Sequence, residues 1–293
     1  MVFVLGIDVG TQGARAIIAD LEGAVKSEAS APFPPEQFAS AAGRFEQDPL
    51  VWRGAMMRAV GQAVSRLVQA GYSAESVAAL SVTSTSGTLC LVDDAGQPLG
   101  AAIMYSDLRA SAVAEEVQAA GADLSIKLGS RFNASFALSK LRWVQQHEPD
   151  RLERARWLLS PADLVIGWLT GEWGATDWTN ALKWGYDVAD LCWPEFIGDK
   201  LGLPVDKLPC VVAPGTVIGR ISPTAAAETG LAPATLVVAG STDGVASQLA
   251  SGAAAPGDWN STLGTTLVLK GVTQSLLHDP KGRIYCHRHP EGY

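Results

Sequence analysis

The sequence predicts a mixed α/β or α+β fold, because three strands, a helix and then further strands follow one another along the chain. Three short apolar stretches separated by turns predict an antiparallel meander within residues 2–30. A helical periodicity then begins near residue 48, and a second strand–helix pattern begins near residue 236. These patterns exclude a helical bundle and a β-sandwich.

The first elements have clear boundary signals. The meander comprises strands at Val2–Ile7, Ala14–Ala19 and Ala24–Ser30. The helix that follows has Asp48 as its predicted N-cap and Pro49 at its first helical position, and it is expected to end at Gly71. Apolar residues recur along it at steps of three and four, which predicts one buried face.

Strands and helices continue to alternate after this helix. We expect one domain at residues 1–250 and the beginning of a second domain at residues 251–293. The remaining predicted elements are strands at Val77–Thr83, Gly87–Val92 and Ala101–Tyr105, helices within residues 110–170, a turn-rich stretch at residues 171–193, a strand at Val237–Ala239, a helix at Val245–Ala250 and two strands within residues 260–269.

The composition favours a folded metabolic protein. Of 293 residues, 47% are hydrophobic and 18% are charged, which supplies a core and excludes disorder. No apolar run is long enough to span a membrane, and the N-terminal residues lack the pattern of a signal peptide. The four cysteines are far apart in the sequence, which favours reduced thiols. We therefore expect a cytoplasmic protein without a membrane partner.

The charge balance excludes another class of partner. The formal net charge is −8, with 22 basic and 30 acidic residues, and no lysine–arginine cluster suggests a nucleic-acid-binding face. If the protein handles phosphates, we expect backbone N–H groups and a metal ion to bind them.

The first segment whose residues could take part in binding or catalysis runs from Asp8 to Arg15, at the end of the first predicted strand. Glycine allows backbone N–H groups to approach a phosphate closely, and Thr11 adds a hydroxyl group beside Gly10. Asp8 could hold Mg²⁺ directly or through water. The same segment also fits a plain hairpin that has glycine at a positive φ.

A second Gly–Thr turn, Gly264-Thr265-Thr266, repeats this design about 250 residues later in the chain. The pair suggests two similar halves that face one nucleotide. The common phosphate-binding loops G-x-x-x-x-G-K-[S/T] and G-x-G-x-x-G do not occur.

The third segment is Gly240-Ser241-Thr242-Asp243, a predicted turn that follows a strand and precedes a helix. A helix N-terminus favours an ionised carboxylate, and such a group could accept a proton from a substrate hydroxyl. The alternative is an ordinary N-cap.

Together these segments resemble the sugar kinase/Hsp70/actin superfamily and, within it, the FGGY carbohydrate kinases. The similar segments occur in the order of that family and extend over the whole chain. The ribulose and xylulose kinase branch is the most similar. The segments that carry the resemblance are residues 6–11, 84–88, 139–143, 147–149, 176–181, 240–243 and 256–266.

The resemblance implies a ribonuclease H-like (actin-like ATPase) domain with a mixed five-stranded sheet and helices, followed by the start of a second similar domain. It also implies an ATP-dependent kinase acting on a ketopentose, with Asp243 as general base and sugar ligand and with Asp8 as the Mg²⁺ ligand. The residues expected to bind ATP are Asp8, Gly10, Thr11, Gln12, Arg15, Gly264, Thr265 and Thr266.

For the sugar, the resemblance points to Ser86, Gly87, Thr88 and Asp107. Relatives often have long polar residues at the positions of Ser86 and Gly87, and the small residues here argue against glycerol as the acceptor. Kinases of another sugar or polyol, and modules that bind nucleotide or sugar without transfer, stay open as alternatives.

Family members are much longer than this chain, so we expect a truncated form whose sugar half is intact and which could be inactive. The expected partners are a small-molecule sugar and ATP, and the chain could also form a homodimer. His287 and His289 would share one face of a strand, but two ligands alone do not predict a metal site.

Overall fold

A computed structural model describes residues 1–38, 40–41, 43–263, 267–279 and 284–292. The strands are β1 Phe3–Val9, β2 Gly13–Asp20, β3 Val25–Pro32, β4 Ser40–Ala41, β5 Arg44–Gln47, β6 Val77–Ser84, β7 Cys90–Val92, β8 Ala102–Ile103, β9 Trp157–Leu159, β10 Ala175–Asp177, β11 Cys210–Val212, β12 Val217–Arg220, β13 Leu236–Thr242, β14 Trp259–Leu263 and β15 Leu267–Gly271. The α-helices are α1 Pro49–Gln69, α2 Ser111–Ala120, α3 Ala122–Leu128, α4 Ala137–His147, α5 Pro149–Arg154, α6 Pro161–Thr170, α7 Trp178–Ala181, α8 Phe196–Asp199, α9 Pro223–Thr229 and α10 Asp243–Ala250.

The largest sheet has six strands in the order β12-β13-β6-β1-β2-β3. β1, β6 and β13 are mutually parallel, whereas β1, β2 and β3 form the antiparallel meander that the sequence predicts. The family resemblance implies five strands, and the sixth is β12, which pairs antiparallel with β13. This strand has only four residues, and none of them is fully buried, so its sequence carries no clear strand pattern.

Strand β1 shows the alternation that a half-buried strand requires. Phe3, Leu5, Ile7 and Val9 are all at most 2% exposed, and they face the core. Asp8 therefore lies on the opposite face, next to the carboxyl end of the strand.

Helix α1 confirms its predicted boundaries. Asp48 is the N-cap, and its Oδ1 accepts a hydrogen bond of 2.9 Å from the backbone N–H of Leu50. The helix ends at Gln69, and Gly71 follows with a φ of +90°. The buried face of α1 packs against β2 and β3.

Two hydrophobic cores form around these elements. The first joins the six-stranded sheet to α1, α6 and α9, and the second surrounds α2, α4 and the chain from residue 178 to residue 208. Strand β9 lies within residues 110–170, where the sequence predicts only helices. Its three residues form a strand by pairing with the distant β7, which no local pattern indicates. Among the described residues, no helix has the length and apolar character needed to cross a membrane.

Several predicted elements have different bounds in the structure; the strand expected at Ala101–Tyr105, for example, is only Ala102–Ile103. The strand expected from residue 87 begins only at Cys90, because Gly87 has a φ of +81° and belongs to a turn. The turn expected at residues 240–243 is instead the end of β13 and the start of α10.

Gly240 permits the close approach of β13 to β6. A Cβ atom at this position would lie 1.9 Å from the carbonyl oxygen of Val82, and the pairing of the two strands is irregular at this point. We expect Gly240→Ala to lower the free energy of unfolding by roughly 3 kcal/mol, measured by urea unfolding.

Gly6→Ala is the matched control, because Gly6 is also a strand glycine of this sheet and nothing lies within 4 Å of a Cβ built there. Its effect should stay within about 0.5 kcal/mol. Equal stability of the two variants would contradict the close approach at Gly240.

Candidate active site

The parallel strands bring the predicted chemical groups to one edge of the sheet. Asp8 is in register with Thr83 of β6, which in turn is in register with Ser241 of β13. Asp243 follows β13 directly, as the first residue of α10. Neighbouring strands are about 4.8 Å apart, so the backbones at Asp8 and Ser241, two residues before Asp243, are separated by about 10 Å.

A short hairpin between β1 and β2 holds Asp8. Arg15 lies opposite Asp8 in the pairing, and its Nη1 donates a hydrogen bond of 2.7 Å to Asp8 Oδ2. The backbone N–H of Gly10 closes the turn on the carbonyl of Gly13 at 3.1 Å. Neither glycine has a positive φ, so the alternative of a plain hairpin with such a glycine does not apply. Gly13 is required instead by packing, because a Cβ there would lie 2.7 Å from the carbonyl oxygen of Ala31.

The tip of this hairpin is held through its backbone. The carbonyl of Thr11 accepts a hydrogen bond of 2.9 Å from Gln47, whose own Oε1 accepts a bond of 2.8 Å from the indole of Trp52. The carbonyl of Gln12 accepts a bond from the N–H of Phe33 at 2.9 Å. The side chain of Thr11 is half-buried, and that of Gln12 is exposed.

Asp243 has an electrostatic environment suited to a base. Partial burial raises the pKa of its carboxyl group, and the charge of Asp8 adds to this. The hydrogen bond of 2.6 Å from the N–H of Gly244 and the charges of Lys183 and Lys270 act in the opposite direction, but the pKa remains raised. Solvent reaches the carboxylate, so the partial desolvation is that of an open cleft.

Two lysines bring positive charge to Asp243. Lys270 of β15 donates a hydrogen bond of 2.8 Å from Nζ to the carbonyl of Gly244. The aliphatic part of the Lys183 side chain packs against Gly87, because a Cβ atom at Gly87 would lie 2.9 Å from Lys183 Cδ. The same Cβ atom would lie 2.2 Å from the carbonyl oxygen of Ser135. The loop expected to bind sugar therefore adjoins the candidate base through Lys183.

The members of that loop differ in their availability. Ser86 is half-buried, whereas Thr88 is fully buried. The hydroxyl of Thr88 lies 3.1 Å from that of Thr85, and it accepts a hydrogen bond of 3.2 Å from the N–H of Tyr105. Thr88 therefore stabilises the loop through internal bonds.

Asp107 is fully buried and bonded on both oxygens. It accepts hydrogen bonds from the N–H of Phe45 at 2.7 Å and from the backbone and guanidinium of Arg109 at 2.8–2.9 Å. Burial acts to raise the pKa of Asp107, but these bonds outweigh it and lower the pKa. The guanidinium of Arg109 also lies 5.0 Å from the ring centroid of Trp143. The structure thus places Asp107 as the support of Arg109.

Lys140 is a buried residue that the sequence patterns do not predict as part of the site. It is 0% exposed, and its Nζ donates a hydrogen bond of 2.7 Å to the carbonyl of Ala134. Burial, with the charge of Lys183, lowers the pKa of Lys140 to about 7. Its position on the apolar face of α4, between Ala137 and Val144, was the available signal.

The second Gly–Thr turn, Gly264-Thr265-Thr266, lies outside the described residues. The strands on either side, β14 and β15, pair antiparallel as expected, with Leu263 opposite Leu267. Within the described ranges, no group of three or more His, Cys, Asp or Glu side chains could hold a metal ion. Asp8 and Asp243 both lie at this edge of the sheet.

The model of the N-terminal domain of the FGGY family of carbohydrate kinases matches residues 3–250. The chain belongs to the FGGY family. This confirms the resemblance found in the sequence.

Two relatives and one solved structure show the extent of the FGGY match. The xylulose kinase of Streptomyces rubiginosus is 32% identical over 286 residues, which cover 96% of this chain and 56% of that protein. The xylulose kinase of Bacillus subtilis is 27% identical over 99% of this chain and 57% of its own length. The crystal structure of xylulose kinase from Rhodospirillum rubrum matches with a TM-score of 0.90 and 26% identity, over 98% of this chain and 58% of that one. The chain spans a little over half the length of these relatives.

The buried ammonium of Lys140 should make stability depend on pH. Its pKa is about 7 in the folded chain, against an ordinary value of 10.5, so the unfolded chain binds more protons between these values. The contribution of Lys140 to stability therefore rises with pH across this window, by at most about 1.4 kcal/mol per pH unit. The free energy of unfolding of Lys140→Met should exceed that of the wild type by the largest amount at pH 7. This difference should shrink towards pH 10.

Urea unfolding of both proteins from pH 7 to pH 10 measures this difference. Lys200→Met is the control, because Lys200 is exposed, and its difference from the wild type should stay constant. A pH-independent difference for Lys140→Met would show that Lys140 keeps its ordinary pKa.

Proposed function

We propose that this chain carries the acceptor site of an ATP-dependent carbohydrate kinase that phosphorylates a hydroxyl group of a ketopentose, D-ribulose or D-xylulose. The observation that carries the proposal is Asp243 at the end of β13, with a raised pKa and with Asp8 across the sheet edge. The match to xylulose kinases over almost the whole chain supports the choice of a ketopentose.

Asp243 acts as the general base in this proposal. Its carboxylate accepts the proton of the attacking sugar hydroxyl, and a raised pKa strengthens it for this task. The hydroxyl oxygen forms a bond to the γ-phosphorus of ATP. The bond from that phosphorus to the bridging oxygen breaks, and ADP leaves with the electron pair. Positioning and charge neutralisation carry most of such a reaction.

The β1–β2 hairpin is proposed to hold the donor phosphates. Arg15 occupies only Oδ2 of Asp8, whose side chain is 32% exposed, so an oxygen ligand remains at the cleft. Mg²⁺ prefers one or two carboxylates together with phosphate oxygens, and this donor set fits it. The ion, when bound, would neutralise phosphate charge. The residues proposed to contact the phosphates are Gly10, Thr11, Gln12 and Arg15 on this side, and Gly264, Thr265 and Thr266 on the other.

The acceptor sugar is proposed to bind between the Ser86–Gly87 turn and Asp243. Thr88 would support this turn, and Asp107 would act by holding Arg109, because the oxygens of both side chains already have internal partners. We further propose that residues 1–250 form the unit with the acceptor site and that residues 251–293 begin a second unit.

Asp243→Asn tests the assignment of the base. The amide cannot take the proton, so phosphorylation of D-ribulose or D-xylulose should fall by about 10²–10⁴-fold, measured by ADP release with each sugar. Binding of the sugar should survive. Asp199→Asn, at an exposed carboxylate, serves as the control and should keep the wild-type rate.

Transfer that persists in Asp243→Asn would contradict the role of Asp243. A folded wild type that binds ketopentose without transferring phosphate would instead identify the chain as a sugar-binding module.

A further inference from the structure

The segment from Tyr285 to Arg288 packs beside the candidate active site. The guanidinium carbon of Arg288 lies 5.3 Å from the ring centroid of Trp178, which begins α7. Nη1 of the same side chain donates a hydrogen bond of 3.0 Å to the carbonyl of Val188. Arg288 therefore attaches this segment to the chain around Trp178 and Val188.

Helix α7 is itself tied to the strand end that precedes Asp243. Asp177 caps the helix by accepting a hydrogen bond of 2.7 Å from the N–H of Thr179. The hydroxyl of Thr179 then accepts a bond of 2.9 Å from the N–H of Thr242. The surface under Arg288 and the base at residue 243 thus belong to one hydrogen-bonded unit.

His287 lies next to Arg288 and has an unsatisfied ring nitrogen. Its Nδ1 is enclosed and has no hydrogen-bond partner in the described part of the chain. The ring centroids of His287 and Tyr285 are 5.3 Å apart. A buried polar atom without a partner is costly, so a bound molecule that completes the hydrogen bonding of the imidazole would be favoured.

The charges of Lys183, Lys270 and Asp243 act on these two rings. Burial, with the charges of Lys183 and Lys270, lowers the pKa of His287 to about 4. Burial also raises the pKa of Tyr285, and the charge of Asp243 adds to this effect. The imidazole is therefore neutral at pH 7, with one donor and one acceptor nitrogen. A sugar hydroxyl, which both donates and accepts, is a complementary ligand.

We infer that His287 is a further acceptor-site residue, whose imidazole binds an oxygen atom of the ketopentose while Asp243 faces the reacting hydroxyl. This inference rests on the proposed function and deepens it. It assigns a role to the segment Cys286-His287-Arg288-His289, which composition alone leaves without one.

The test is equilibrium binding of D-xylulose and D-ribulose to the 293-residue chain by calorimetry, without nucleotide. His287→Phe keeps a ring but removes both nitrogens, and it should weaken binding at least tenfold. His287→Gln keeps one donor and one acceptor, so it should recover part of the affinity. His147→Phe is the matched control, because His147 is exposed, and it should bind as the wild type does.

Nuclear magnetic resonance of the histidine rings gives a second readout that needs no variant to fold. Addition of the ketopentose should shift the ring signals of His287 and leave those of His147 unchanged.

Equal affinities of the wild type and a folded His287→Phe would overturn the inference and leave the proposed function standing. Unchanged His287 signals at saturating sugar would overturn it as well. A wild-type chain that binds neither sugar would contradict the proposed function, and the inference with it.

Discussion

The parallel pairing of β1, β6 and β13 is the constraint on which the candidate site depends. Strand β6 lies between the other two, so it sets both the separation and the register of Asp8 and Asp243. The pairing of β13 requires a residue without a side chain at Gly240, close to the backbone of Val82. A change in this register would move both carboxylates relative to each other, because successive side chains of a strand point to opposite faces.

Electrostatics give this edge of the sheet a character that differs from that of the whole chain. The net charge is −8, yet two lysines, Lys183 and Lys270, bring positive charge to Asp243. Desolvation lowers the pKa of Lys140 and of Lys183, so their placement costs stability. The positive charges of Lys183 and Lys270 oppose the rise in the pKa of Asp243 that its burial causes.

Local signals in the sequence explain why part of this arrangement was predictable. The meander, the Asp48 cap and the order of the strand ends depend on neighbouring residues, and so they could be read from spacing. Strand β12 and the burial of Lys140 depend on pairing and packing with distant segments, which no local pattern records. The role of Asp107 could not be predicted from the sequence either, because only the fold shows that Arg109 and Phe45 donate hydrogen bonds to its carboxylate oxygens. The roles of the hairpin residues and of Asp243 remain predictions.

A crystal structure of the chain with D-xylulose tests most directly whether the ends of the three parallel strands form the acceptor site. We expect the sugar between the Ser86–Gly87 turn and α10, with one hydroxyl oxygen within hydrogen-bond distance of the Asp243 carboxylate. Sugar bound elsewhere, such as in the open groove lined by Tyr105, Ser111 and Asn133, with no contact to Asp243, would contradict this assignment.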